Sequence, residues 1–267
     1  MDEDKPLLNI GEVNAVKTNI NTSVNVTDQT GLSGFGNAAD KLAGTATGLV
    51  QRICYPAAEE FGLMLGDSFG DFRRRNFEAI AKRAKKNIEE SHPGEDVSAP
   101  PRLIASVIEK GSWEDDQFVQ DLWAGLLSSS CTEEGDDDSN LLFINILANL
   151  TKLQAHILNH ACIHAKKIIG SSGVTFCMDL RINLKEYGDE IGEKDFHRLD
   201  REIDNLRSSG LLTPESSVEI NNKKGVANVT PSTLGLHMFV RCQGSRIAPY
   251  EYFKGAPEII TGPCNSS

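Results

Sequence analysis

The six cysteines include no CxxC pair, so the ligand spacing of zinc ribbons and thioredoxin-like motifs is missing. Aromatic residues are scarce at 6%, which leaves the core to Leu, Ile, Val and Ala. Positive charge is not in excess. The 267 residues carry a formal net charge of −11, and no global field draws the chain to nucleic acid. No uninterrupted apolar run approaches the ~18 residues that span a bilayer. The stretch MDEDKPLLN is acidic and has no apolar centre, unlike a secretory signal. The cytoplasm is therefore the expected compartment, and Asn-x-Ser/Thr matches such as Asn25-Val26-Thr27 are then fortuitous. P-loop, HExxH, GxSxG and Cys/His arrangements are also missing. The expectation is a protein without catalytic residues, cofactor or metal, and not an enzyme.

What is present reads as globular, with 39% hydrophobic and 24% charged residues. Charge is unevenly spread. Between Lys110 and Lys152 there are nine acids and no Lys or Arg. Between Asp71 and Glu90 the balance reverses, with Arg73, Arg74, Arg75, Lys82, Arg83, Lys85 and Lys86 facing four acids.

The pattern along the chain predicts a mainly α protein: a helical N-terminal region joined to a C-terminal winged-helix-like α+β module. Residues 1–36 are polar, rich in Asn and Thr, and read as a flexible arm. The helical region spans 37–150. It starts with a helix over about 38–54, punctuated by Pro56, and a second over about 57–90. Phe77, Ile80, Ala81, Ala84 and Ile88 form the apolar stripe of the second helix at spacings of three and four. A third helix opens at Pro100-Pro101 and buries Leu103, Ile104, Val107 and Ile108. Ser112 reads as the cap of the next, with Asp115 three residues on and Phe118, Val119, Leu122, Trp123, Leu126 and Leu127 as its stripe. An acidic loop, 132–140, precedes a short helix over 141–149.

The module covers 151–243. A helix over about 151–169 leads to a strand in which Val174, Phe176, Met178 and Leu180 alternate with polar residues. A short helix follows over 183–191. The next, within 193–207, has Phe196, Leu199, Ile203 and Leu206 on its inner stripe. A hairpin comes next, turning at 221–225, and then a last helix begins at Pro231 with Thr230 as cap. Its inner face is Leu234, Met238, Phe239 and Cys242. Helix, strand, two helices and a two-stranded wing is winged-helix order. Residues 244–267 form a tail.

Each candidate site competes with a plainer account. Gly34-Phe35-Gly36-Asn37-Ala38-Ala39 matches a dinucleotide loop, but no hydrophobic strand precedes it, so it reads as a helix entry. His156, His160 and His164 line one helix side and could bind a transition metal, yet they read better as a polar edge beside Leu153, Ile157 and Ala161. Gly62, Gly66 and Gly70 form GxxxGxxxG, which reads as close helix packing rather than a membrane contact. Glu133 to Asp138 lacks EF-hand spacing and reads as a solvated loop. The helix 193–207 carries five acids against four bases, so a DNA reader is not expected. The seven cations of residues 73–86 are the candidate interaction residues. They are expected to dock on the acidic segment 114–138 of the same or a neighbouring subunit; an anionic partner, lipid surface or nucleic acid, is the alternative.

Two stretches resemble the Abi-alpha family, bacterial proteins linked to abortive infection. The first runs from Pro100-Pro101-Arg102-Leu103 through Trp113-Glu114-Asp115-Asp116 to Leu122-Trp123-Ala124-Gly125-Leu126-Leu127. It is similar to the family's double proline, acidic helix start and "LWANLL" core, with Gly125 in place of Asn. The second runs from Leu199 to Leu212, then Thr230-Pro231 and Gly235 to Cys242. Together they span about 100–243. The resemblance implies a helical architecture and a role in phage defence, and brings no catalytic residue with it. The expected function is a non-enzymatic component of antiphage defence acting through protein contacts, with a protein partner or homo-oligomer. The alternative is a winged-helix transcriptional regulator binding DNA.

Overall fold

The computed structural model describes residues 53–54, 70–91, 93–170, 172–219, 225–254 and 259–261. The arm 1–36, most of the helix expected over 38–54, the GxGxxA stretch, Gly62, Gly66 and the wing turn 221–224 lie outside them. So do Ile220 and the last six residues of the tail.

α1 (Gly70–Ser91) is rich in Arg, Lys, Glu and Ala, which lose little side-chain freedom in a helix. Its buried stripe is Phe77, Ile80, Ala81, Ala84 and Ile88, joined by Asn76. α2 (Pro101–Gly111) carries proline in its first turn, where no donor is lost, and buries Leu103, Ile104, Val107 and Ile108. α3 (Gln117–Ser129) begins one turn later than Ser112 predicts. Its cap is Asp116, whose carboxylate accepts from the Val119 N–H at 3.1 Å. Ser112 instead ends α2, fully buried, and accepts from Arg73 Nε at 2.9 Å. α4 (Leu141–Leu147) buries Phe143, Ile144 and Leu147. α1 lies along α3, α2 and α4 brace α3, and one core runs through them.

α5 (Lys152–His164) opens with a reciprocal cap between Thr151 and Gln154. It stops five residues earlier than predicted. Residues 167–169 form β1 (Lys167–Ile169) instead, paired antiparallel with β2 (Thr175–Cys177) and parallel with β6 (Ile259–Thr261). The alternating segment 174–181 thus splits. β2 belongs to the sheet β2-β1-β6, and β3 (Arg181–Asn183) to a second sheet, β3-β5-β4, with β4 (Ser217–Val218) and β5 (Val226–Asn228). The alternation also points the unexpected way. Thr175 is buried at 3% exposure, while Phe176 stands 48% exposed, flanked by exposed Val174 and Met178.

Between β3 and β4 run α6 (Leu184–Ile191) and α7 (Phe196–Ser208), capped by Asn183 and Asp195. Gly192 closes α6 in the left-handed region at φ 75°, a conformation that costs glycine little. Leu199, Ile203 and Leu206 of α7 are fully buried, but Phe196 faces solvent, contrary to its predicted place on the stripe. α8 (Thr233–Cys242) is capped by Ser232 rather than Thr230. Ser232 Oγ accepts from the Gly235 N–H at 3.0 Å, while Pro231 bridges to Leu212. α9 (Pro249–Tyr252) closes the described chain before β6.

Helices thus dominate, with small sheets toward the C-terminal side. α8 holds the parts together, packing on both α3 and α5. The approach is close because Gly125 has no side chain: a Cβ there would overlap the Cys242 carbonyl. Gly235 plays the same part against the Leu211 carbonyl. Ser129 Oγ then donates to the Arg241 carbonyl at 2.9 Å across the junction. Among the described residues, no helix is long and apolar enough to cross a membrane.

Candidate functional site

The seven cations of α1 do not act as one patch. Arg73 turns inward, reaching Ser112 and the Glu109 carbonyl at 3.1 Å, with its guanidinium 4.6 Å over the exposed Trp113 ring. Arg74 pairs along the helix with Asp71 at 2.8 Å and Glu78 at 3.2 Å. Lys85 and Lys86 lean on Glu89 and Glu90 at 3.5 and 3.7 Å. Arg83 crosses to α3 and meets Asp121 at 2.6 Å and Gln120 at 3.0 Å. Arg75 and Lys82 are exposed and make no ion pair among the described residues. Helix α1 lies along α3, and Arg83 makes an ion pair with Asp121 between the two.

The acidic loop has its own anchors. Ser98 and Thr132 exchange backbone hydrogen bonds, and Gly135 N–H donates to Thr132 Oγ1 at 2.8 Å. Ser139 holds the Asp137 carboxyl below the usual range, helped by Arg241 and Arg246.

A cleft of about 580 Å³ is lined from α1, α3, α5 and the end of α8. Arg83, Lys86 and Asn87 line it from α1, Asn159 from α5 and Gln243 from the end of α8. Phe118, Leu122 and Ile163 provide apolar surface. The volume sits within the usual ~300–1,000 Å³ of ligand sites. Cys242 also lines it, but burial pushes that thiol far above its ordinary value, so it stays protonated. Burial does the same elsewhere, raising Cys131 to about 12 and Cys177 to about 11.

The three histidines of α5 are occupied as rings. His156 stacks on Phe118 at 4.2 Å; His160 stacks on His164 at 4.1 Å and meets the edge of Tyr187 at 4.7 Å. No group of three His, Cys, Asp or Glu among the described residues is placed to hold a metal ion. Burial lowers the affinity of His156 and His160 for a proton, with Asp116 and Glu190 pulling the other way. Neutral rings are thus favoured in the folded state. In the unfolded chain both revert toward 6.5. Stability is fully present above that value and falls as pH drops through the depressed folded values, because the unfolded chain binds more protons there. Thermal melts from about pH 7.5 down to about pH 5 should show this decline. The variant His156→Gln with His160→Gln should flatten it; an unchanged slope would mean other groups set the pH dependence.

The sequence displays the basic helix and Phe118, but it does not mark Asn87, Asn159 and Gln243 as one group. These come from three elements, so no spacing could announce them.

The residues matched by the family described as Abortive infection alpha are 73–231. They begin on α1 and include the basic residues, α2 to α7, β4 and β5. The chain belongs to the Abortive infection alpha family, and with that membership goes a role in abortive infection. The match reaches further toward the N-terminus than the resemblance seen from about 100, and it ends at Pro231, so α8 lies beyond it. No curated protein and no solved structure matches the chain.

Proposed function

We propose that this protein is a non-enzymatic component of antiphage defence, working in the cytoplasm through contact with another protein or a second copy. Residues 151–243 serve as a winged-helix-like contact module. The observation that carries this reading is the outward row formed by Phe176 on β2 and its flanking residues Val174 and Met178, at 48%, 39% and 43% exposure. Large apolar side chains that face water together mark contact surfaces. The order α5, β3, α6, α7, β4, β5 supports the winged-helix description. The charge on α7 supports protein over nucleic acid. Arg198 pairs with Glu193, Arg201 with Glu202 and Arg207 with Asp204, so its cations are offset within the module itself.

The test is phage challenge of a host carrying the gene. Phe176→Asp with Met178→Asp should keep the parental melting temperature and lose protection; full protection by this variant would remove the β2 face from the function. A DNA-binding regulator is the second reading, favoured by the element order. Selection from random duplexes by the purified protein should return no enriched site. One enriched sequence, bound in a salt-sensitive way, would move the function to that class.

A further inference from the structure

We infer that the cleft between α1, α3, α5 and α8 binds an extended peptide segment bearing an acidic side chain, presented by the protein partner. This rests on the contact reading above and gives it a second surface.

The argument starts with the amides. Asn87, Asn159 and Gln243 converge on the cleft from α1, α5 and the end of α8, and none of their side chains makes a hydrogen bond among the described residues. Each offers two donors and an acceptor. A ligand that satisfies them must carry both kinds of group close together. Extended backbone does so, presenting C=O and N–H at about 3.3 Å per residue whatever its sequence.

Charge narrows the class. Arg83 is already neutralised, since Asp121 holds it at 2.6 Å. Lys86 is 74% exposed at its side chain, with Glu90 no nearer than 3.7 Å. That pair is long and exposed, hence weak, so Lys86 can turn to an incoming carboxylate and the cleft offers about one cation for a single acid. Asp121, 62% exposed and lining the same space, would repel a polyphosphate. A nucleotide or lipid phosphate is thereby disfavoured against a peptide with one acid. Phe118, Leu122 and Ile163 give an apolar neighbour of that acid a place to lie.

The full chain, incubated with a random-sequence peptide array, should enrich peptides with Asp or Glu beside a large apolar residue. Titration of an enriched peptide should then weaken about tenfold or more in Asn159→Ala with Gln243→Ala, a loss expected for two or more hydrogen bonds. Both side chains are partly exposed, so melting temperature should be unchanged. Lys86→Glu should reverse the preference toward basic peptides. Phe176→Asp should leave peptide affinity as it was. The cleft assignment is overturned if the amide variant binds the peptides as tightly as the parent, or if the array enriches nothing. It is also overturned if ATP raises the parent's melting temperature and not that of the amide variant, which would make the cleft a nucleotide site. Peptides whose binding is lost only in Phe176→Asp would overturn the cleft and leave the broader contact reading standing. Intact phage protection in the Phe176 and Met178 variant would strike that broader reading instead.

Discussion

Replacing Gly125 with alanine is expected to lower the thermal midpoint by about 10 °C or more. In an ordinary helix interior the same change adds ~1 kcal/mol of stability, because alanine loses less backbone freedom than glycine. Here the sign reverses. The new Cβ would overlap the Cys242 carbonyl, and its next neighbours are also backbone atoms of Cys242. No flexible side-chain tip can yield, so α8 must lift off α3. Overpacking usually costs ~1–3 kcal/mol when side chains can shift, and a rigid carbonyl puts this case above that range. For a chain of this size each kcal/mol moves the midpoint by roughly 2–4 °C. Gly125→Asn, the residue of the family's "LWANLL" core at this place, should be worse than alanine. Circular dichroism melts of both variants decide the matter: midpoints near the parent's would mean that α3 and α8 do not touch at this point.

Trp123→Ala is expected to cost ~3–5 kcal/mol, the range for truncating a large buried aromatic. The side chain is 2% exposed. Its ring fills the space beside Gly111, where a Cβ would come within 3.1 Å of it and 3.3 Å of Ile80. Truncation would open a cavity where α1, α2 and α3 meet, and close packing lets the surroundings collapse only in part. Trp113→Ala is the matched control. That ring is 63% exposed and touches Arg73 from above, so its removal should stay within about 1 kcal/mol. The intrinsic fluorescence of the Trp113→Ala protein should be that of a buried indole and should shift to the red on unfolding. Equal stability of the two variants would take Trp123 out of the core.

Much of the helical part was readable because burial there follows a period of 3.6. The stripes of α1 and α2 appear in the structure with the residues expected of them, whereas α3 is buried almost all round, with Gln120, Ala124 and Gly125 inside and Phe118 only half-buried. Cap positions moved by a few residues, from Ser112 to Asp116 and from Thr230 to Ser232, since several small polar residues stood near each boundary. The sheets were harder. Lys167, Ile168 and Ile169 follow a helix without a glycine or proline, so nothing local marks the change to strand. The alternation of Val174, Phe176 and Met178 was correctly read as extended, but period two does not say which face is covered. Phe196 misled for a related reason, standing at the helix edge where the stripe leaves the core. The cleft was illegible altogether: its amides are ordinary surface residues until α1, α5 and α8 bring them together.

The dependence of α3 on α8 also sets a schedule for biosynthesis. The Ser129 to Arg241 contact joins residues 112 apart. A ribosome adding ~5–20 residues per second needs on the order of ten seconds to cover that distance. During that time the groove around Gly125, with Leu122 and Leu126 beside it, has no helix to receive. The nascent chain therefore passes through a stage in which its middle is folded enough to display an apolar seam and too short to close it. A chaperone that recognises such seams, or slow translation late in the message, would act on this protein at that stage and not on the finished one.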